Sequence, residues 1–171
     1  PEFDRNGNVK SIVAITRNVT ERKRAEQALH ESDERFKIIY SQSPVGIEIY
    51  DADGKMLDIN PAGMEIFGIE RAEDVHGFDL FADPNITRRL RKRLAEGRSI
   101  AFESVFDFEL VKKMGLYPTS RWGQCYIDCL ITPLLSSGRS ISGYVAHVRE
   151  ITERQKIAQA LAESEKRFRS L

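Results

Sequence analysis

The side chains with chemistry to offer are few: three histidines, two cysteines and one cluster of arginines. His30, His76 and His147 are scattered, with no spacing that lets two of them share a metal ion. Cys125 and Cys129 are four positions apart. On one strand their Cα atoms stand roughly 13 Å apart, beyond the ~7 Å reach of a disulfide. They read as free thiols of a reducing compartment, so the expected location is the cytoplasm. If that strand turns them inward with Ile127 and Ile131, they act as small apolar groups, and redox or ligand sensing through the thiols is the alternative. Arg88, Arg89, Arg91, Lys92 and Arg93 form the one basic cluster. Such a cluster can contact phosphate, but no aromatic residue is interleaved, so it reads as the solvated back of a helix and no nucleic-acid partner is expected. No glycine-rich phosphate loop is present. The chemistry-bearing residues therefore point away from an enzyme.

Bulk composition supports this reading. The chain has 171 residues, 41% hydrophobic and 30% charged, with 26 basic and 26 acidic side chains. Zero net charge gives no global pull toward nucleic acid or anionic lipid. No apolar run approaches the ~18 residues that would span a bilayer, and no segment reads as a signal peptide.

The elements that must position these side chains begin with a duplication. Residues 13–36 read VAITRNVTERKRAEQALHESDERF and residues 145–168 read VAHVREITERQKIAQALAESEKRF, an offset of 132. Pro1 matches Pro133 at the same offset. A strand running into a charged helix thus occurs twice, with one domain between, as in a string of whole domains. The expected organisation is residues 1–19 as the last strand of a preceding unit, 20–36 as a linking helix, 37–152 as the domain and 153–171 as a C-terminal helix. Val9 to Arg17 reads as a strand without a partner, and Thr20 as the N-cap of the first helix.

Each helix carries a narrow apolar seam. Ala25, Leu29, Ser32, Phe36 and Ile39 are spaced 4, 3, 4, 3, and Ile157, Leu161, Ser164, Phe168 and Leu171 repeat that spacing. The other faces are almost wholly charged, so the seams predict a homodimer paired through the flanking helices. Each covers about two heptads, too short for an isolated helix to be stable.

Between the helices, Gly46–Tyr50 and Lys55–Ile59 flank Asp51-Ala52-Asp53-Gly54, a hairpin pattern. Asn60-Pro61 opens a short helix that stops at Gly68. Residues 71–83 read as short helical turns. A helix starting near Asn85 puts Ile86, Leu90 and Leu94 on one face and ends at Gly97. Three strands are expected at Ile100–Leu110, Trp122–Pro133 and Ile141–Ile151. In the first, Phe102, Phe106, Phe108 and Leu110 share one side. Two strands, small helices, three strands and an exit helix make an α+β domain with helices on one face of an antiparallel sheet.

The stretches IEIYDADGKMLDINPAGMEIFG, LITPLLSSGRSISGYVAHVREITERQ and NVTERKRAEQAL resemble the PAS family of sensor domains. The resemblance covers about residues 33–152. It implies a five-stranded antiparallel sheet and a pocket between that sheet and the helix at 85–96. It also implies a dimeric setting beside other PAS and output domains, commonly in a sensor histidine kinase. In that family the exit strand usually ends Asp-Ile-Thr, which links the core to a signalling helix. Here the positions read Asn18-Val19-Thr20 and Glu150-Ile151-Thr152, so Asn18, Thr20, Glu150 and Thr152 are the relay candidates, with the aspartate replaced in both copies. The flavin-binding cysteine motif of the family is absent, as is the Cys-x-x-Cys-His of covalent haem. The helix at 85–96 has no histidine for haem, which leaves His76 as the candidate for noncovalent haem. His30-Glu31 resembles a phospho-accepting box, but its repeat mate is Ala162 and no ATP-binding motif follows. Leu90, Phe106, Phe108 and Cys129 are the expected pocket lining, fit for a small organic ligand or for self-filling. No cofactor is identifiable. The expected function is sensing and relay, and a ligand-free dimerisation spacer is the alternative.

Overall fold

The computed structural model describes all residues except 1, 4, 5, 7, 8, 12–18, 139, 170 and 171. Two compact units divide it, residues 1–38 and 39–171. In the first, strands β1 (Glu2–Phe3) and β2 (Val9–Ser11) pair antiparallel. The sequence predicts a longer strand without a partner; its start finds one within its own chain, and its remainder, with Asn18, lies outside the described residues. Helix α1 (Val19–Gln42) follows. It begins one residue before Thr20, which therefore lies in the first turn of the helix.

In the second unit, β3 (Gly46–Asp51) and β4 (Met56–Ile59) form the predicted hairpin. Asp51 closes its turn by accepting hydrogen bonds from the amides of Asp53 and Lys55. Gly54 has φ +79°, and a Cβ there would stand 2.6 Å from the Phe81 ring, so both backbone and space demand glycine. Asn60 caps α2 (Pro61–Phe67), accepting from the Gly63 amide at 2.9 Å. The same oxygen accepts from Ile47 N, while Nδ2 donates to the carbonyls of Tyr40 and Val45. Asn60 is fully buried, and its amide locks the start of β3 to the start of α2.

Two 3-10 turns, Ala72–Val75 and Leu80–Ala82, lead to α3 (Arg88–Ala95). This helix starts three residues later than predicted, because the Thr87 hydroxyl caps it by accepting from Leu90 N. Strand β5 (Ile100–Asp107) stops short of the predicted Leu110. The Asp107 carboxylate accepts from the Leu110 amide and nucleates α4 (Phe108–Met114), a helix that strand alternation conceals in the sequence. Phe108 is buried under either assignment, so alternation alone does not separate strand from helix here; Leu110, on the same side by alternation, is 40% exposed and borders the cavity. Strand β6 (Gln124–Leu135) begins two residues after Trp122, which projects outward with Lys112 Nζ 2.9 Å from its ring centroid. Strand β7 (Ile141–Glu150) runs into α5 (Thr152–Arg169).

The five long strands make one antiparallel sheet in the order β4-β3-β7-β6-β5. Its inward face joins the short helices and turns in a single apolar core. Fully buried Phe108, Ile86, Leu94 and Ile131 anchor it, each contributing about 1.5–3 kcal/mol by leaving water. The predicted five-stranded α+β fold is therefore present.

Candidate functional site

Two places in the second unit gather polar side chains with the geometry to do something. The first is a cavity of about 90 Å³ on the inward face of the sheet. Its floor is Glu48 and Tyr50 of β3, Ile127, Cys129 and Ile131 of β6, and Val148 of β7. The opposing wall comes from Val75, Leu80 and Asp83–Ile86, which lead into α3, and from Val111, Leu116 and Tyr117 in and after α4. The cavity thus faces the approach to α3, not α3 itself, and the unpredicted helix α4 forms one side of it.

Strand alternation decides which polar groups look into this space. On β3, Gly46, Glu48 and Tyr50 point inward and are buried, while Ile47 and Ile49 are half-buried on the other face. Glu48 is 7% exposed, and the Tyr50 hydroxyl donates to its Oε2 at 2.6 Å. Burial pushes the Glu48 carboxyl up to about 7; the Tyr50 hydrogen bond opposes this and nearby Asp83 adds to it. Burial also raises Asp83, against hydrogen bonds from the backbone and side chain of Asn85.

Of the predicted lining residues, Phe106 and Cys129 border the cavity. Phe108 lies behind Phe106, ring centroids 5.2 Å apart, and Leu90 packs against the core elsewhere. His76 is exposed and does not line the cavity, so the noncovalent haem reading loses its ligand. The space is also well below the ~300 Å³ of an ordinary cofactor or drug pocket. Cys125 and Cys129 both face inward and are buried. Burial pushes the Cys125 thiol up to about 11 and raises Cys129 as well, which leaves little reactive thiolate at neutral pH. The arginines of α3 are exposed; Arg91 donates to the Ile86 carbonyl and Arg93 to that of Ser99.

The second place is the junction of β7 with α5. Arg121 grips Glu150 with two hydrogen bonds, Nη1 to Oε2 at 2.7 Å and Nη2 to Oε1 at 3.3 Å. The Thr152 hydroxyl donates to Glu150 Oε1 and accepts from Tyr126 N, while Ile151 N donates to the Tyr126 carbonyl. The longer glutamate arm therefore still reaches a cation. The Arg121 hydrogen bond is the main force that holds the Glu150 carboxyl below its ordinary range.

Arg121 also ties this junction to the core. Its Nη1 donates to the Ile66 carbonyl of α2, and its guanidinium lies 4.8 Å from the Phe108 ring centroid. Phe108 meets Phe106 edge-on, and Phe106 meets Phe67 in the same way at 5.0 Å. A contiguous run of packed groups thus joins the cavity wall to the first residue of α5. Gly68 makes room for it: a Cβ there would meet the Arg121 side chain at 2.6 Å. The sequence pattern marks Glu150 and Thr152 but not Arg121, Glu48, Tyr50 or Asp83. Arg121 follows a loop with no distinctive pattern, and Glu48 sits in an Ile-Glu-Ile run that argues for the opposite face.

The seam positions are exposed along α1 and α5, with Leu29 64%, Phe36 58%, Ile157 68% and Leu161 61% accessible. Ala25, Ser32 and Ser164 are exposed too, while the side chains of Thr20 and Phe168 lie outside the described residues. Among the described residues no helix is long and apolar enough to cross a membrane.

Comparison with known proteins gives a consistent picture. The family described as the PAS fold matches residues 40–156. An uncharacterized protein of Sinorhizobium fredii, y4lL, is 32% identical over 95% of this chain and 19% of its own length. The virulence sensor protein BvgS of Bordetella bronchiseptica is 28% identical over 88% of this chain and 12% of its own length. The chain therefore spans less than a fifth of these relatives. The solved PAS domain of a protein from Colwellia psychrerythraea superposes with a TM-score of 0.54 at 15% identity, covering 72% of this chain and 98% of that one.

Proposed function

This chain belongs to the PAS fold family, and we propose that it is a non-catalytic sensing and relay domain of a larger signalling protein of the sensor-kinase kind. It receives a change in its core or from an adjoining domain and passes it through β7 into α5. The observation that carries this reading is the Arg121–Glu150–Thr152 network, which fastens the end of the sheet to the start of the exit helix. Arg121 touches both α2 and Phe108, so a shift of the core side chains changes what holds the helix. A paired charge network with two arrangements can bias such a helix by a few kcal/mol without breaking the fold.

The exposed seams of α1 and α5 support a second copy of the chain as partner, since their apolar positions are otherwise left in water. The buried free thiols support a cytoplasmic setting.

Glu150→Gln and Arg121→Met in the full-length protein test the relay. Both should cut the response to stimulus at least fivefold while leaving the domain folded by near-ultraviolet circular dichroism. Wild-type response from both variants would rule the relay out at this junction. Ser164→Leu should tighten self-association of the chain about tenfold in analytical ultracentrifugation, and unchanged association would remove α5 from the interface.

A further inference from the structure

The cavity carries a charge imbalance that the relay does not use. Glu48 is 7% exposed, and among the described residues its one hydrogen-bond donor is the Tyr50 hydroxyl, on Oε2. The other oxygen has no hydrogen-bond donor among those residues. A buried carboxylate with half of its acceptors unused is expensive to maintain. Asp83 lines the same space and acts on Glu48 through it. No lysine, arginine or histidine is among the lining residues. The other titratable groups that act with Glu48 or line the space with it are Tyr40, Tyr50, Tyr117 and Cys129, all neutral when protonated, and Asp107, a further carboxylate. The cation that acts on this wall is Arg91, and it acts on Asp83 rather than on Glu48. Asn85 also lines the space, and most of the remaining wall is apolar, with Phe106, Ile127, Ile131, Val148, Val75 and Leu80.

We propose that this cavity binds a small organic cation, an alkylammonium group of about five heavy atoms, with its ammonium on Glu48 and its alkyl tail against Phe106 and Val148. The inference rests on the reading of this domain as a sensor and supplies the chemical class of what it senses. An ammonium donates three hydrogen bonds and takes none, which matches a wall offering carboxylate acceptors and no competing cation. The cavity volume of about 90 Å³ is below the ~150 Å³ of an engineered site that admits benzene, so large aromatic cations are excluded. Because burial raises the Glu48 carboxyl to about 7, the cation binds best where Glu48 can ionise. Affinity should fall several-fold as pH drops from 8 to 6.

The test uses three probes of one shape on the 171-residue chain: n-butylamine, n-butanol and butyrate. Binding is followed by amide shifts of Tyr50, Phe106 and Val148 in nitrogen-edited NMR spectra. The expected order is n-butylammonium at least tenfold tighter than n-butanol, with butyrate excluded. Glu48→Gln keeps an acceptor for the Tyr50 hydroxyl and should erase the preference for the amine. Asp83→Asn should reduce it, and Glu96→Gln at the end of α3 should leave it unchanged. Equal binding of alcohol and amine would overturn the proposal, as would a preference that survives Glu48→Gln. Failure of all three probes to shift the cavity amides would also overturn it. None of these failures bears on the relay, which is tested at Arg121 and Glu150.

Discussion

Two buried polar side chains sit on either side of the β3–β4 hairpin, and the fold treats them in opposite ways. Asn60 is fully buried and uses both donors and both acceptors. Glu48 is almost as deeply buried, yet among the described residues only one of its oxygens receives a hydrogen bond. The Asn60 corner is therefore a fixed joint, because any movement there leaves a buried amide unmatched. The Glu48 cavity is a place where the protein has kept unspent capacity to bind or to change protonation. A sensing domain needs both: a rigid frame, and one region whose energy depends on what enters it.

That contrast can be broken most severely at Asn60. Asn60→Leu removes the helix cap and strands the Ile47 amide and the Tyr40 and Val45 carbonyls. A loss of about 4 kcal/mol is expected, measured by urea unfolding. A loss below about 1 kcal/mol would mean that the corner is not the fixed joint described.

Glu48 should show itself next, through pH. Its folded carboxyl titrates near 7 against an ordinary value of 4.5, so the folded state holds a proton that the unfolded state releases. Stability should fall as pH rises from about 4.5 to about 7 and level off above, by about 3 kcal/mol in total. Glu48→Gln should flatten this limb in unfolding titrations between pH 4 and 8. A wild-type curve that rises over this range would contradict the assignment.

Glu150 has the opposite sign. Its carboxyl is held below the usual range by Arg121, so its contribution is present above the ordinary carboxylate range and is lost as pH falls through the folded value. The pair is partly exposed, so Glu150→Gln should lower stability at neutral pH by only about 1 kcal/mol and shrink the acid limb. Smallest of all, Trp122→Leu removes an exposed cation–π contact with Lys112; about 0.5 kcal/mol is expected by thermal unfolding.

Much of the frame is legible in the residues themselves. The Asp-Gly hairpin, the Asn60-Pro61 helix start and the Glu150-Thr152 junction all depend on local chemistry, and local chemistry is what a sequence displays. Helix α4 is hidden because Phe106 and Phe108 keep strand alternation across the boundary, while the deciding interaction is one Asp107 cap. The cavity is hidden for a related reason. Ile47 and Ile49 argue for their own face as the inner one, and only the pairing of β3 with both β4 and β7 turns Glu48 inward. Arg121 is 29 residues from Glu150, and no local pattern marks a pair that only the folded sheet brings together.

The proposed coupling between the core and the exit helix runs through Phe108 and Arg121, and amide hydrogen exchange at Ile151 and Gln155 tests it most directly. Four proteins are compared: the wild-type chain and Phe106→Leu, each with and without Arg121→Met. The amides of β4 report global opening in each. Coupling predicts that Phe106→Leu speeds exchange at both junction amides more than it does at β4, and that Arg121→Met removes this extra effect. Junction exchange that changes in step with the β4 amides in all four proteins would contradict the coupling.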